Sequence, residues 1–159
     1  MNRPDFFIAI EDHLDCTLRD FSRHLAQMPK KPVGTVTISE LCSVSEYPNG
    51  LYFLFDEQGN LGYVGKSTSR SFVERIRSHF DQRPDAWFNT LPKKIVKVAQ
   101  LAAYADGHAA GLRMGLVLVG VKDKQRALNL ETALRGFMSP RFNPCRGSRF
   151  TGDERLSSI

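Results

Sequence analysis

Residues 50–65, GLYFLFDEQGNLGYVG, decide the fold that this chain can adopt. The aromatic and apolar run at 51–55 is typical of a buried β-strand. Residues 56–60 supply turn-forming side chains, and residues 61–64 can return as a second strand. The stretch therefore predicts a β-hairpin that places Tyr52 on one strand and Tyr63 on the other.

The sequence that follows the hairpin predicts a helix, a strand and a second helix. Apolar residues recur at helical spacing over about 71–80 and again over 124–137, and residues 113–121 form a continuous apolar run that is typical of a buried strand. Between them, residues 101–105 suit a helix and residues 107–111 a loop. This order predicts an α/β (α+β) domain, built on a small three-stranded sheet flanked by helices.

The two ends of the chain differ from this central part. Residues 5–28 are predicted to form an amphipathic helix, because apolar residues recur there at steps of three and four. These residues are Phe7, Ile10, Leu14, Leu18, Phe21 and Leu25. We therefore divide the chain into an N-terminal extension (1–48), a central domain (49–147) and a short polar tail (148–159) that is expected to be mobile.

Composition narrows the class of protein. The 159 residues are 42% hydrophobic and 25% charged, which suits one globular domain. The net charge of +5 favours a polyanionic partner such as nucleic acid. Cys16, Cys42 and Cys145 form no CxxC pair and are expected to be free thiols. No secretory signal or membrane-spanning run is evident, so a cytoplasmic protein without membrane association is expected.

Polar residues on the predicted helix at 71–80 suit phosphate chemistry. Arg75 and His79 are four positions apart and therefore share one helical face. Arginine can clamp phosphate oxygens, and histidine exchanges protons near neutral pH. The alternative is that both simply belong to a solvated face.

Two further residues, Glu131 and Asn143, carry oxygen ligands in an otherwise apolar context. Glu131 lies between apolar residues of the helix at 124–137, where a carboxylate needs a cationic partner. Magnesium, which uses few protein oxygens, is one such partner. The alternatives are an ion pair between Glu131 and Arg135, and a turn role for Asn143 before proline.

Taken together, these residues resemble the motifs of the GIY-YIG nuclease family, in their order and over about residues 50–144. The matching positions are Gly50-Leu51-Tyr52, Tyr63-Val64-Gly65, Arg75, His79, Glu131 and Asn143. Leu51 and Val64 stand where the family pattern has isoleucine. The glycines Gly50 and Gly65 hold structural positions in that pattern.

The resemblance implies a divalent-metal-dependent endonuclease that hydrolyses DNA phosphodiester bonds. It implies that Glu131 binds Mg²⁺ (or Mn²⁺), that Arg75 neutralises phosphate charge, and that Tyr52 activates or positions the attacking water. His79 is implied to relay a proton or support Tyr52, and the sequence leaves the general base open among Tyr52, His79 and Lys66. Tyr63 and Asn143 are implied to position the water, the phosphate or neighbouring groups.

Contacts to DNA outside the catalytic residues are expected from four arginines. These are Arg77, Arg135, Arg141 and Arg146. One alternative is a non-catalytic nucleic-acid-binding module on the same fold. Another is a protein that forms a dimer or binds a partner through the 5–28 helix. The sequence does not indicate the DNA shape, the sequence specificity or the pathway.

Overall fold

The computed structural model describes residues 2–145 and 149–159, and the predicted hairpin is confirmed in it. Its strands are β3 (Asn49–Phe55) and β4 (Leu61–Ser67), which pair antiparallel. In the turn between them, the Asp56 carboxylate accepts hydrogen bonds from the backbone N–H groups of Gln58 and Asn60 at 3.0 and 2.8 Å. Gly59 adopts a φ of 84°, which other residues rarely adopt.

The described residues form an α+β fold with five strands in one mixed sheet, so the predicted class is confirmed and the predicted three-stranded sheet is wrong. Strand β5 (Gly115–Val121) pairs antiparallel with β3. Its other edge takes two short strands from the N-terminal segment, β1 (Phe7–Ala9) in parallel and β2 (Lys31–Pro32) antiparallel. These short strands depend on backbone pairing with a distant strand, which no local pattern encodes.

The predicted helix at 5–28 is wrong in its first half. After β1 the chain makes a 3₁₀ turn (Ile10–His13), and α1 runs only from Leu18 to Gln27. The side chain of Thr17 accepts a hydrogen bond from the backbone N–H of Asp20 and so begins the helix. The apolar face of α1 is buried in the core of this chain. From the sequence alone, this face is also a candidate surface for a dimer or a partner protein.

The described residues contain five further α-helices. They are α2 (Ile38–Cys42), α3 (Phe72–His79), α4 (Thr90–Ala99), α5 (Tyr104–Arg113) and α6 (Lys124–Met138). The helices predicted at 71–80 and 124–137 are confirmed, whereas the loop predicted at 107–111 is wrong because it lies inside α5. Within the described ranges, no helix has the length and apolar character needed to cross a membrane.

Side chains of the sheet alternate between two core layers. One layer contains Tyr52, Leu54 and Tyr63, which pack with α2, α3, α4 and α5. The opposite layer contains Phe53 and Val64, which pack with α1 and α6. This alternation decides on which side of the sheet each candidate site residue lies.

The C-terminal tail, expected to be mobile, packs against the domain over residues 149–159. Leu156 is fully buried in the layer of α1 and α6, and it lies in a 3₁₀ turn at Leu156–Ser158. Arg155 donates a hydrogen bond to the carbonyl of Asp15 at 2.7 Å, and its backbone pairs with Thr17. The tail therefore completes the core beside α1.

Candidate active site

Strand β4 is an edge strand, and the predicted site residues lie on both of its faces. Tyr63 belongs to the layer of α3 and α4, together with Tyr52 from the neighbouring strand. Lys66 contacts Glu131 of α6 on the opposite side. The site therefore wraps around the end of one strand, which brings residues from four different elements together.

On the first face, Tyr52, Tyr63 and His79 form a buried aromatic cluster. The two tyrosine rings stack with their centroids 6.1 Å apart and their planes at 25°. The His79 ring packs edge-on against both, at 5.6 and 5.3 Å. The Tyr52 hydroxyl lies 2.5 Å from Nε2 of His79, which is a short hydrogen bond. The structure thus brings together three residues that the sequence places in different elements.

The second ring nitrogen of His79 fixes the direction of that hydrogen bond. The backbone N–H of Leu91 donates to Nδ1 at 3.3 Å, and the Thr90 hydroxyl lies 3.1 Å from the same atom. A backbone N–H can only donate, so Nδ1 must be the acceptor and the proton of neutral His79 lies on Nε2. Nε2–H therefore donates to the Tyr52 oxygen, and the Tyr52 O–H is donated to another acceptor, with Tyr63 among its side-chain hydrogen-bond partners.

Burial keeps both partners of this hydrogen bond neutral. Burial, together with smaller contributions from the charges of Arg75 and Lys94, lowers the pKa of His79 from 6.5 to about 3. Burial also raises the pKa of Tyr52 well above its ordinary value of 10, with a further contribution from Tyr63, while Arg75 opposes the shift. Near neutral pH the pair is therefore a phenol and an uncharged imidazole.

The depressed pKa of His79 predicts a pH-dependent stability. The folded-state pKa of about 3 lies below the unfolded value of 6.5, so the unfolded chain binds the proton first as the pH falls. The contribution of neutral His79 to the free energy of unfolding is fully present above about pH 6.5, the unfolded pKa, and is lost as the pH falls towards the folded pKa of about 3. We expect the wild type to lose about 2 kcal/mol more of its free energy of unfolding between about pH 7 and pH 5 than the His79→Gln variant.

Urea denaturation at a series of pH values measures this difference. Equal pH dependence of the wild type and His79→Gln would contradict the burial of a neutral His79.

The two glycines of the motif, Gly50 and Gly65, lie where a larger side chain would overlap its neighbours. A Cβ atom on Gly65 would overlap the Tyr52 ring, which lies directly across the neighbouring strand. A Cβ atom on Gly50 would overlap the Phe72 ring and come within 2.7 Å of the Val119 carbonyl oxygen. Both positions therefore require the absence of a side chain.

Arg75 and Lys66 reach one cavity of about 320 Å³ beside the aromatic cluster. Its wall also includes Thr90, the residue that contacts His79, and Phe88. In the part of the chain that the structure describes, no carboxylate forms an ion pair with Arg75. The cavity is lined by three cations, Lys66, Arg70 and Arg75, of which only Lys66 has a carboxylate partner among the described residues, and it suits a phosphate group.

On the other face of β4, Glu131 is almost completely buried and both of its oxygens contact cations. Oε2 lies 2.8 Å from Nζ of Lys66, and Oε1 lies 3.3 Å from a guanidinium nitrogen of Arg135. The ion pair with Arg135, which the sequence left open, is present. The Lys66 side chain is 44% exposed and that of Glu131 only 10%, so loss of the Lys66 contact is costly unless another cation takes its place.

The donor set at Glu131 fits a magnesium ion that keeps most of its waters. The Lys66 ammonium lies 2.8 Å from Oε2 of Glu131, so the space next to this oxygen favours a positive charge. Magnesium is commonly held by one or two carboxylates together with substrate phosphates. In residues 2–145 and 149–159, at Glu131 as elsewhere, no group of three or more His, Cys, Asp or Glu side chains is arranged to hold a metal.

Asn143 lies at the free edge of β4, where its amide satisfies the backbone of Val64. Its Oδ1 accepts from the Val64 N–H at 3.1 Å, and its Nδ2 donates to the Val64 carbonyl at 2.6 Å. The backbone carbonyl of Asn143 accepts from Arg135 at 3.0 Å. Asn143 therefore links the edge of β4 to α6, beside the Glu131 carboxylate.

The arginines expected to contact DNA have different environments. Arg77 is exposed on α3, whereas Arg135 is tied to Glu131 and Asn143. Arg141 is exposed but lies over the Phe142 ring and lines a cavity of about 520 Å³ between the hairpin turn and α5. That cavity contains none of the predicted catalytic side chains. Arg146 lies outside the described residues.

Sequence reasoning missed the contribution of α4 to the site. Thr90 and Leu91, at the start of α4, hold Nδ1 of His79, and the charge of Lys94 acts on the same ring. The backbone donor at Leu91 carries no side-chain signal, so no motif could have revealed it.

Comparison of the chain with models of protein families, with curated proteins and with solved structures finds no match. Membership of the GIY-YIG family therefore stays a prediction, which depends on the motif residues and on their arrangement around β4.

Proposed function

We propose that this protein is a divalent-metal-dependent endonuclease that hydrolyses DNA phosphodiester bonds. One observation supports this activity more than any other. Arg75 and Lys66 meet at one cavity, although one extends from α3 and the other from the opposite face of β4. Beside that cavity lie a buried tyrosine–histidine pair and a buried carboxylate. The buried motif residues lie behind the wall of this cavity, where Tyr52 contacts Arg75, His79 contacts Thr90 and Glu131 contacts Lys66.

Arg75 and Lys66 would bind the scissile phosphate. Arg75 offers a planar set of N–H donors and has no competing carboxylate among the described residues. Both cations would stabilise the negative charge that grows on the phosphate oxygens as water attacks. This places the attacking water on the side of the cavity that faces the aromatic cluster.

Tyr52 would position that water, and His79 is its positioning residue. Because Nε2–H of His79 donates to the Tyr52 oxygen, the hydroxyl hydrogen is not used on His79 and would be donated to the water or to a phosphate oxygen. With a pKa of about 3, His79 is too weak a base to accept a proton near neutral pH. Tyr52 would become a base only once bound cations offset the effect of its burial.

Glu131 is the side chain that would hold Mg²⁺. When bound, the ion supplies a Lewis acid for the phosphate oxygens and for the leaving group. Lys66, released from the Glu131 carboxylate, would then be free to contact the phosphate. Asn143 keeps β4 and α6 in register, so that the two faces of the site stay aligned.

A non-catalytic nucleic-acid-binding module is the second candidate. One observation favours it: both oxygens of Glu131 are already neutralised by Lys66 and Arg135, so the fold satisfies this carboxylate without a metal. Such a module would bind DNA equally well in the presence of EDTA, and it would never cut.

Cleavage of plasmid, linear and flapped DNA in the presence of magnesium tests the proposal. We expect cutting that EDTA abolishes and that Tyr52→Phe slows by about 100-fold, since a positioned acid–base group contributes on this order. The control is Tyr47→Phe, which changes another buried tyrosine that packs on Phe7, away from the cavity. Full activity of Tyr52→Phe, or binding without cutting by the wild type, would contradict the proposal.

A further inference from the structure

Two large aromatic side chains stand out on the surface beside the site. In the loop between α3 and α4, the side chain of Trp87 is 88% exposed and that of Phe88 is 43% exposed. Exposed aromatic pairs of this size lose hydrophobic stabilisation and usually mark a binding surface. Neither residue has a role in the catalytic arrangement described above.

The loop that carries them is firmly anchored. Asn89 is completely buried, and its amide donates to the Arg83 carbonyl and to the Tyr104 hydroxyl, both at 2.8 Å. Lys93 donates to the carbonyl of Ala86 at 2.7 Å. The exposure of Trp87 and Phe88 is therefore a built feature of the loop rather than the result of a poorly held segment.

Phe88 joins the aromatic surface to the cationic cavity. It lines the cavity of Lys66 and Arg75, and it also lines a neighbouring cavity of about 440 Å³ together with Trp87. On the first side, the Arg70 guanidinium lies 4.0 Å from the centroid of the Phe88 ring. Two adjoining cavities are thus lined by the cations Lys66, Arg70 and Arg75 and by the rings of Phe88 and Trp87. This arrangement suits a ligand in which phosphates alternate with flat rings.

Building on the nuclease activity proposed above, we propose that Trp87 and Phe88 stack an unpaired base of the DNA substrate. The substrate class would be DNA with an unpaired nucleotide beside the scissile phosphate, as in a flap or a bulge. Arg75 and Lys66 would hold the phosphate, and Arg70 would hold Phe88 in place. A base inside a paired duplex hides its faces in the stack, whereas an unpaired base presents them.

The chain offers a direct reporter, because Trp87 is its only tryptophan. Titrations are made in EDTA, so that no cutting occurs, with three DNAs of equal length. One is a fully paired duplex, one carries a single unpaired thymidine, and one carries an abasic sugar at the same unpaired position. We expect quenching of tryptophan fluorescence by the thymidine-bulged DNA alone.

Variants separate stacking from general DNA binding. Trp87→Leu should weaken binding of the bulged DNA by about tenfold, within the range of one stacked base, and leave the duplex and abasic affinities unchanged. Arg77→Ala, the control on exposed α3, should weaken all three equally. Equal affinity for the thymidine and abasic DNAs, or an equal loss on all three for Trp87→Leu, would overturn the proposal.

The outcome for this subsite is distinguishable from that for the nuclease. Base-dependent quenching by a protein that never cuts in magnesium would support the stacking site and reject the nuclease. Cutting of all three DNAs at equal rates, without any quenching of tryptophan fluorescence, would support the nuclease and reject the stacking site. Failure to bind any of them would overturn both.

Discussion

If the proposed nuclease activity is present, replacing Glu131 with glutamine is expected to lower the rate of magnesium-dependent cleavage by about a thousandfold or more. Glutamine has nearly the same shape but lacks the charge that attracts the ion, and the loss of several kcal/mol of transition-state stabilisation corresponds to a factor of this size. DNA binding is retained or tightens, because a negative charge is removed beside Lys66 and Arg135. Cleavage and filter-binding assays on the same DNA measure the two effects.

The matched control is Glu57→Gln. Glu57 is exposed and pairs with Arg113, as Glu131 pairs with Arg135, but it lies at the hairpin turn. Its replacement should leave cleavage unchanged. Cleavage by Glu131→Gln at the wild-type rate would reject the metal role of this carboxylate, and unfolding experiments on the variant would show that the loss is not due to misfolding.

Replacing Gly65 with alanine is expected to lower the proposed cleavage activity by displacing a different residue, Tyr52. The new methyl group overlaps the Tyr52 ring, which Tyr63 and His79 hold from two sides. The ring can move only by breaking its hydrogen bond to His79, so cleavage should fall at least as far as in Tyr52→Phe. The overlap should also destabilise the fold by about 1–3 kcal/mol, as overpacked cores do. Urea denaturation and the cleavage assay measure the two effects.

Two comparisons make this test specific. Gly34→Ala is the control, because a Cβ atom there meets nothing closer than the Leu112 carbonyl oxygen at 3.4 Å. In the double variant Gly65→Ala/Tyr52→Leu the smaller side chain relieves the overlap, so stability should recover while activity stays absent. A Gly65→Ala protein with normal stability and normal cleavage would contradict the close contact between Gly65 and the Tyr52 ring and the role proposed for Tyr52.

The central strands and the helices around the site were predictable because each carries its own periodic signal. Residues 51–55 are continuously apolar, and the polar partners Arg75 and His79 share a face of α3 at ordinary helical spacing. Glu131 was noticed because a carboxylate among buried apolar residues needs a cation. Each of these inferences uses only neighbours in the sequence.

The remainder of the fold depends on contacts between distant segments. Phe7 and Ile10 continue the helical spacing of Leu18 and Phe21, yet the first segment pairs with β5 and only the second is helical. Gly107 was predicted to lie in a loop, but it is in α5, where a Cβ atom would come within 2.6 Å of the Pro92 carbonyl oxygen of α4. Close packing of two helices, rather than a turn, explains that glycine.

The covering of β4 by the segment before Pro144 has a consequence for association between molecules. Arg141 and Phe142 donate backbone hydrogen bonds to the carbonyls of Leu61 and Gly62, and Asn143 satisfies Val64. Much of this edge strand is therefore unavailable for pairing with a strand of another chain. Another chain could pair with residues 61–64 of β4 only after residues 141–143 had separated from them, so this part of the edge is protected from sheet-to-sheet association.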